Sequence, residues 1–328
     1  MVSTRGGEVL RGRHLGYDPG IAQLRFLAAF AVALYHLWTL QLVALPLFRP
    51  GWLGVPLFFE LSIYLLLNRL DARPSLRHYF VRRVRRIWPL YFPAVVVVYL
   101  ADVYILHMDV TVYALALHFV FLSFVLAPFS MNYLFWSLQL EEWMYLAIPI
   151  IHRLSDKKKL WVATALITTS LLYSLYTTLQ PYNVFHYLYF MPPYWLGAYG
   201  WGTMAYVMRK RGASIPRRPV YAALALLYTV YVTAAVLVKN EVIYEFTVRF
   251  VIYNAALIAF AALILNPPRP LHKTTVFLGE VSYGMYLWTL LLQELYGAAG
   301  TALGILAAAA TEYPLRAREI NTRLKTTR

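Results

Sequence analysis

No cysteine occurs in the 328 residues, which excludes disulfides, thiol nucleophiles and thiolate metal sites. Charge is scarce as well. Asp, Glu, Lys and Arg make up 14% of the chain, against about 25% in a soluble domain. Acids are the rarer sign, 15 against 30 Lys and Arg, for a formal net charge of +15. The sequence has no G-x-x-x-x-G-K-[ST], no H-E-x-x-H and no G-x-S-x-G in triad order, and Ser62 in FFELS is not a nucleophile elbow. ATP hydrolysis, zinc proteolysis and ordinary serine-hydrolase chemistry are therefore unsupported. No strong internal repeat suggests the two-fold build of a transporter.

Apolar residues fill the space that charge leaves. The AVILMFWYC set is 60% of the chain, too much for a soluble, disordered or fibrous protein. The expected fold class is all-α, a polytopic membrane helical bundle forming one domain over 1–328 with short tails at 1–20 and 317–328. Ten segments can span: 21–45, 52–68, 88–106, 133–152, 160–178, 186–207, 219–238, 247–265, 275–295 and 300–315. The first 20 residues are polar, and the run after them is too long for a signal peptide, so it reads as the first span.

An eleventh apolar stretch, 112–130, is placed by charge. If it does not cross, the basic loops fall on one side: the tail with Arg5, Arg11 and Arg13, the Arg69–Arg86 connector, Arg153 with Lys157 to Lys159, Arg209–Arg218, Arg269 with Lys273, and the tail from Arg316. Only Arg49, Lys239 and Arg249 remain on the other. The positive-inside bias then puts both termini in the cytoplasm of a multi-pass cell-membrane protein. It also accounts for the net charge without a nucleic-acid partner. The 107–132 stretch becomes a re-entrant or surface element, either a wall of an active site or a loop helix packed over the bundle.

Ionisable residues inside spans are costly and usually face a cavity or a polar partner. The first span carries Arg25 and His36, 11 positions apart. They lie on one helical face, about 16 Å apart along the axis. His36 alone reads either as a satisfied structural histidine or as part of a site. Glu141 in the fourth span falls at a similar depth, about 12 Å below its outer end against about 13 Å for His36. A buried carboxylate at that level would orient an imidazole and raise its basicity. Glu142, about 100° round the helix, would face elsewhere. One lone intramembrane histidine implies no metal.

Arg83 and Arg86 share a helical face, as do Arg82 and Arg85. Pro89 suits the first turn of the following span. Paired arginines at such a mouth suit a pyrophosphate or ribose phosphate; anchoring to anionic lipid is the competing reading. Glu280 and Glu312 are candidates to pair with these arginines. Tyr286 and Trp288 read as interfacial anchors, and Gly300 with Gly304 as a small-xxx-small packing pair.

Taken in order, LRFLAAFAVALYHL with Arg25 and His36, VPLFFELSIYLLLNRL and HYFVRRVRRIWPLYF with Arg83 and Arg86, FWSLQLEEWMYL with Glu141, FLGEVSYGMYLW and TEYPLR resemble acyltransferase family 3 over nearly the whole chain. The resemblance implies ten spans and an O-acyltransferase. It would move an acyl group, often acetyl, from cytoplasmic acyl-CoA to a hydroxyl of a sugar, surface glycan or glycolipid. Catalytic roles fall to His36 and Glu141, and donor phosphates to Arg25, Arg83 and Arg86. The partners implied are the lipid bilayer, acyl-CoA (acetyl-CoA) as co-substrate with no tightly bound cofactor, and a carbohydrate or lipid-linked sugar acceptor. Three residues depart from the family pattern: Ile63 for glycine, Glu60 for an apolar residue and Thr289 for histidine. The alternatives are a proton-coupled transporter or flippase of a lipid-linked or small-molecule substrate, and an inactive envelope scaffold.

Overall fold

The computed structural model describes residues 17–126, 131, 135–181, 184 and 187–325. Arg5, Arg11 and Arg13, part of the 107–132 element and the last three residues lie outside them. Among the described residues there are helices and no strands. The protein is an all-α polytopic bundle, as its apolar runs require.

Helix α1 (Pro19–Thr39) starts where Asp18 accepts the Gly20 amide at 2.9 Å, with Pro19 at its first position. The same carboxylate pairs with Arg209 at 2.9 Å. Helix α1 stops short of the expected residue 45, because Gln41 takes a left-handed backbone with φ 57°. A 3₁₀ stretch, Pro46–Leu53, then leads into α2 (Gly54–Ala72).

Helix α3 runs unbroken from Leu76 to Tyr104, with Pro89 and Pro93 inside it. This corrects the expectation that Pro89 opens a span. Helix α3 begins instead at the Ser75 cap, whose hydroxyl accepts the His78 amide. The arginine run therefore lies on the helix itself, and no free helix amides adjoin it.

The helices α6 (Phe135–Arg153), α7 (Asp156–Thr178), α8 (Pro192–Lys210) and α9 (Arg217–Leu237) follow two short ones, α4 (Val112–Phe119) and α5 (Ser123–Leu126). A short turn of helix, Glu241–Glu245, and a π-helical stretch, Phe246–Ile252, precede α10 (Tyr253–Leu265). The chain ends with α11 (Lys273–Glu280), α12 (Ser282–Tyr296) and α13 (Gly300–Lys325).

Among the described residues, seven helical stretches are long and apolar enough to cross a membrane. One of them, Ser282–Lys325, folds back on itself. Its Gly284 amide meets Glu312 at 2.8 Å, and Gln293 donates to Thr301 at 2.8 Å, so α12 and α13 are antiparallel. Helices α6 and α8, 19 residues each, occupy the two remaining expected positions.

Helix α1 is enclosed by α2, α11, α12 and the 3₁₀ stretch. At Gly54 a Cβ would stand 2.3 Å from the Ala28 carbonyl oxygen, so only glycine lets α2 lie this close. Ile63 replaces a family glycine, yet the close approach survives from the other side. A Cβ on Gly202 of α8 would sit 2.5 Å from Ile63 Cγ2. Thr289 is buried against Gly304 across the α12–α13 contact.

Helices α4 and α5, about 12 and 6 Å long, are too short to cross. They are held by a buried network in which Gln139 donates to Tyr91 at 3.0 Å and to Ser123 at 2.7 Å, while Ser123 also meets His118 at 3.1 Å. The described residues of this element line none of the three cavities described below. That favours a helical loop packed over the bundle.

Candidate active site

Three cavities adjoin in series along α1. The first is a basic vestibule of about 360 Å³, lined by Tyr17, Arg25, Arg69, Arg82, Arg83 and Glu280 among others. Arg25, Arg69 and Arg83 also line the second, a neck of about 70 Å³ that holds Arg86, Ser62, Ser137, Glu141 and Tyr145. Val55 and Tyr286 line both the neck and the third, an aromatic cavity of about 910 Å³ that contains His36.

Helix α1 thus presents Arg25 to the vestibule and neck, and His36 to the aromatic cavity. Helix α3 turns Arg83 and Arg86 inward, leaves Arg85 exposed and sends Arg82 to Glu319 at 2.5 Å. Two of the four arginines in the run therefore face the site, spaced as one helical face requires. Arg69 joins them from the end of α2. Sequence reasoning passed over it because an arginine after an apolar run looks like an ordinary span end.

Among the described residues Arg25, Arg69, Arg83 and Arg86 make no ion pair with an acid, and the Arg83 Nε and Nη2 atoms are buried without hydrogen-bond partners. Arg83 lies over the Tyr145 ring, 5.7 Å from its centroid. Four cations that make no ion pair suit an anionic ligand. The acids that could have neutralised them are engaged elsewhere. Glu280 binds Arg316 at 2.9 Å and Arg323 at 2.5 Å, and Glu312 binds Arg316 at 2.6 Å. Glu280 and Glu312 therefore pair with arginines of the last helix, not with Arg83 or Arg86. At the vestibule rim, burial and the adjacent Glu280 push the Tyr17 hydroxyl up, so it stays a donor.

Glu141 faces the neck and accepts a hydrogen bond from the Ser62 hydroxyl; it is the one carboxylate among the residues lining the neck. Glu142 lines none of the three cavities, as the 100° step between neighbours requires. His36 and Glu141 lie on adjoining stages of one path and do not line a common cavity. Between them the Ser137 and Tyr286 hydroxyls are 2.6 Å apart. Tyr286, expected as an interfacial anchor, is buried at this junction. Its role could not be read from an aromatic-rich span in which many tyrosines look alike.

Glu60 is fully buried with neither carboxylate oxygen hydrogen-bonded. Like Thr289, it lines none of the three cavities. Among the described residues no group of three His, Asp or Glu side chains could hold a metal ion.

A basic vestibule, a narrow polar neck and a cavity bearing a histidine together suit group transfer along the bundle axis. The comparisons agree. The family model for an acyltransferase domain matches residues 18–315. The chain is 54% identical over 310 residues to ORF330 of Acidianus two-tailed virus, an acetyltransferase by name, covering 94% of this chain and 93% of that one. It is also 35% identical over 97 residues to the peptidoglycan O-acetyltransferase OatA of Listeria monocytogenes, covering 27% of this chain and 14% of that protein. No solved structure matches. The chain belongs to acyltransferase family 3, and it is a multi-pass membrane acyltransferase.

Proposed function

We propose that the protein transfers an acetyl group from cytoplasmic acetyl-CoA to a sugar hydroxyl presented at the opposite membrane face. The observation that supports this most is the serial arrangement: four arginines without acid partners at one end, His36 at the other, and a neck between them. In this reading Arg25, Arg69, Arg83 and Arg86 hold the CoA phosphates in the vestibule and at the neck. The thioester arm enters the neck, whose small volume of about 70 Å³ favours a short acyl group.

His36 takes the proton of the acceptor hydroxyl as general base. The oxygen adds to the thioester carbonyl, the C–S bond breaks, and the CoA thiolate leaves toward the vestibule. Glu141, as the carboxyl of the neck, gives a proton to that sulfur, and the proton held by His36 then passes to Glu141, which restores both groups. Family membership favours this reading over the transporter and scaffold alternatives. The positive-inside pattern supports a cytoplasmic vestibule and cytoplasmic termini.

The test is CoA release by purified protein given acetyl-CoA and a glycan or glycolipid extract, wild type beside His36→Ala. Release with labelling of the acceptor, both lost in the variant, is expected. Folded wild type that releases no CoA with a panel of acyl groups and acceptors overturns the proposal.

A further inference from the structure

The aromatic cavity holds a charge that the transfer step above does not use. Arg49 lies in the 3₁₀ stretch between α1 and α2 and lines this cavity. Its guanidinium sits between two rings, 4.6 Å from the Trp38 centroid and 4.8 Å from that of Tyr244. One of its terminal nitrogens donates to the Ala235 carbonyl at 3.2 Å. Among the described residues it makes no ion pair.

Two other charged groups line the same cavity, Glu245 and Arg249, and they pair with each other across one helical turn. Because that pair cancels itself, the fixed charge left over is the one on Arg49. The wall that carries Arg249 is the π-helical stretch Phe246–Ile252. Such insertions cost regular hydrogen bonding and are frequent at functional sites. This one is stabilised from outside, by Tyr194 donating to the Arg249 carbonyl at 2.9 Å and Asn254 to the Phe250 carbonyl at 2.7 Å.

A guanidinium clamped flat by two rings keeps its planar fork pre-organised, with little left to order on binding. The surrounding surface is aromatic, with Tyr35, Trp52, Trp136 and Tyr189 around the same volume. Rings bind the apolar faces of a sugar; a free guanidinium binds phosphate or carboxylate.

Building on the acyl-transfer reading, we infer that the aromatic cavity is the acceptor site and that the acceptor is an anionic saccharide whose phosphate or carboxylate is held by Arg49. The charge fixes the sugar so that one hydroxyl meets His36 in the same cavity, and it sets a preference that neutral sugars do not satisfy. A phosphate would come from a lipid-linked sugar and a carboxylate from a uronic acid residue; the chemistry offered to Arg49 is the same.

The experiment uses the full-length protein in phosphatidylcholine nanodiscs, wild type beside Arg49→Gln and Arg49→Lys. The probes are methyl glucoside, methyl glucuronide and a short-chain prenyl phosphoglucose. Binding is read from quenching of tryptophan fluorescence, since Trp38, Trp52 and Trp136 line the cavity. Transfer is read from CoA release, and donor-side integrity from acceptor-independent hydrolysis of acetyl-CoA.

Wild type should favour at least one acidic probe over the glucoside by about tenfold or more, the ratio expected of a charge-assisted hydrogen bond. Arg49→Gln should abolish that preference while leaving hydrolysis and thermal midpoint unchanged, and Arg49→Lys should restore part of it. The acidic probe that wins identifies the source of the charge. Equal binding of all three probes by wild type overturns the inference, as does a preference that survives in Arg49→Gln. A loss of thermal stability in Arg49→Gln without any change in preference makes Arg49 a bilayer anchor and equally overturns it. Because binding is measured apart from transfer, absence of CoA release with Arg49-dependent binding would sink the acyl-transfer reading and leave this site standing.

Discussion

The Ser62 hydroxyl donates to the Glu141 carboxylate across the neck, tying α2 to α6 between the basic vestibule and the aromatic cavity. This contact joins two sequence blocks 79 positions apart. It gives the half-buried carboxylate a fixed direction.

If Glu141 moves a proton during transfer, Glu141→Gln should lower kcat about 10²- to 10⁴-fold with little change in the KM for acetyl-CoA. Ser62→Ala should cost less, since it removes only the orientation. His36→Ala should be at least as damaging as Glu141→Gln. Steady-state CoA release checks all three. A Glu141→Gln enzyme of normal kcat would remove the carboxylate from the reaction.

The arginines should act on binding. Arg69→Ala, Arg83→Ala and Arg86→Ala are each expected to raise the KM for acetyl-CoA about tenfold or more, leaving kcat nearer wild type. Acetyl-pantetheine, which lacks the nucleotide phosphates, should be nearly blind to the same substitutions. Equal losses with both donors would assign the arginines to folding.

Arg316 is buried between Glu280 and Glu312, so removing it leaves Glu312 without a cation and Glu280 with Arg323 alone. Arg316→Met should destabilise the protein by about 3–5 kcal/mol, and the triple change Arg316→Met, Glu280→Gln, Glu312→Gln should recover much of that. Thermal unfolding in detergent measures both. A silent Arg316→Met would show the cluster to be dispensable.

Glu60 predicts the opposite sign. Burying a carboxyl without partners costs stability, so Glu60→Leu should raise the thermal midpoint by the equivalent of about 1–3 kcal/mol. Glu60 lines none of the cavities, so transfer activity should persist. Loss of activity in a more stable variant would give this departure from the family pattern a functional role.

His118 supplies a pH dependence outside the spans. Burial lowers its affinity for a proton below the ordinary histidine value, partly offset by its bond to the Ala114 carbonyl at 2.8 Å. The unfolded chain then binds more protons below pH 6.5, so stability should fall as pH drops through and below that value. His118→Gln should flatten this slope in denaturation followed from pH 7.5 to 5. An unchanged slope would place the acid sensitivity elsewhere.

Much of this was written in the chain itself. The scarcity of charge fixed the solvent, the apolar runs required an all-α bundle, and the 11-residue spacing put Arg25 and His36 on one face of α1. Charge asymmetry kept 112–130 from counting as a span, because a wrong crossing would have scattered the basic loops over both sides. These are one-dimensional properties, set by helix pitch and by the energy of charge in lipid. Which polar residues meet was decided only by packing between helices. Pro89 does not open a helix because Ser75 already had; Glu280 and Glu312 take arginines from the last helix because the α12–α13 hairpin brings Arg316 to them. Ile63 is tolerated because Gly202 yields the space on the facing helix. Placing Arg69 beside Arg83, Ser62 on Glu141 and Arg49 between two rings required partners up to about two hundred residues apart, a matching of surfaces that no local spacing encodes.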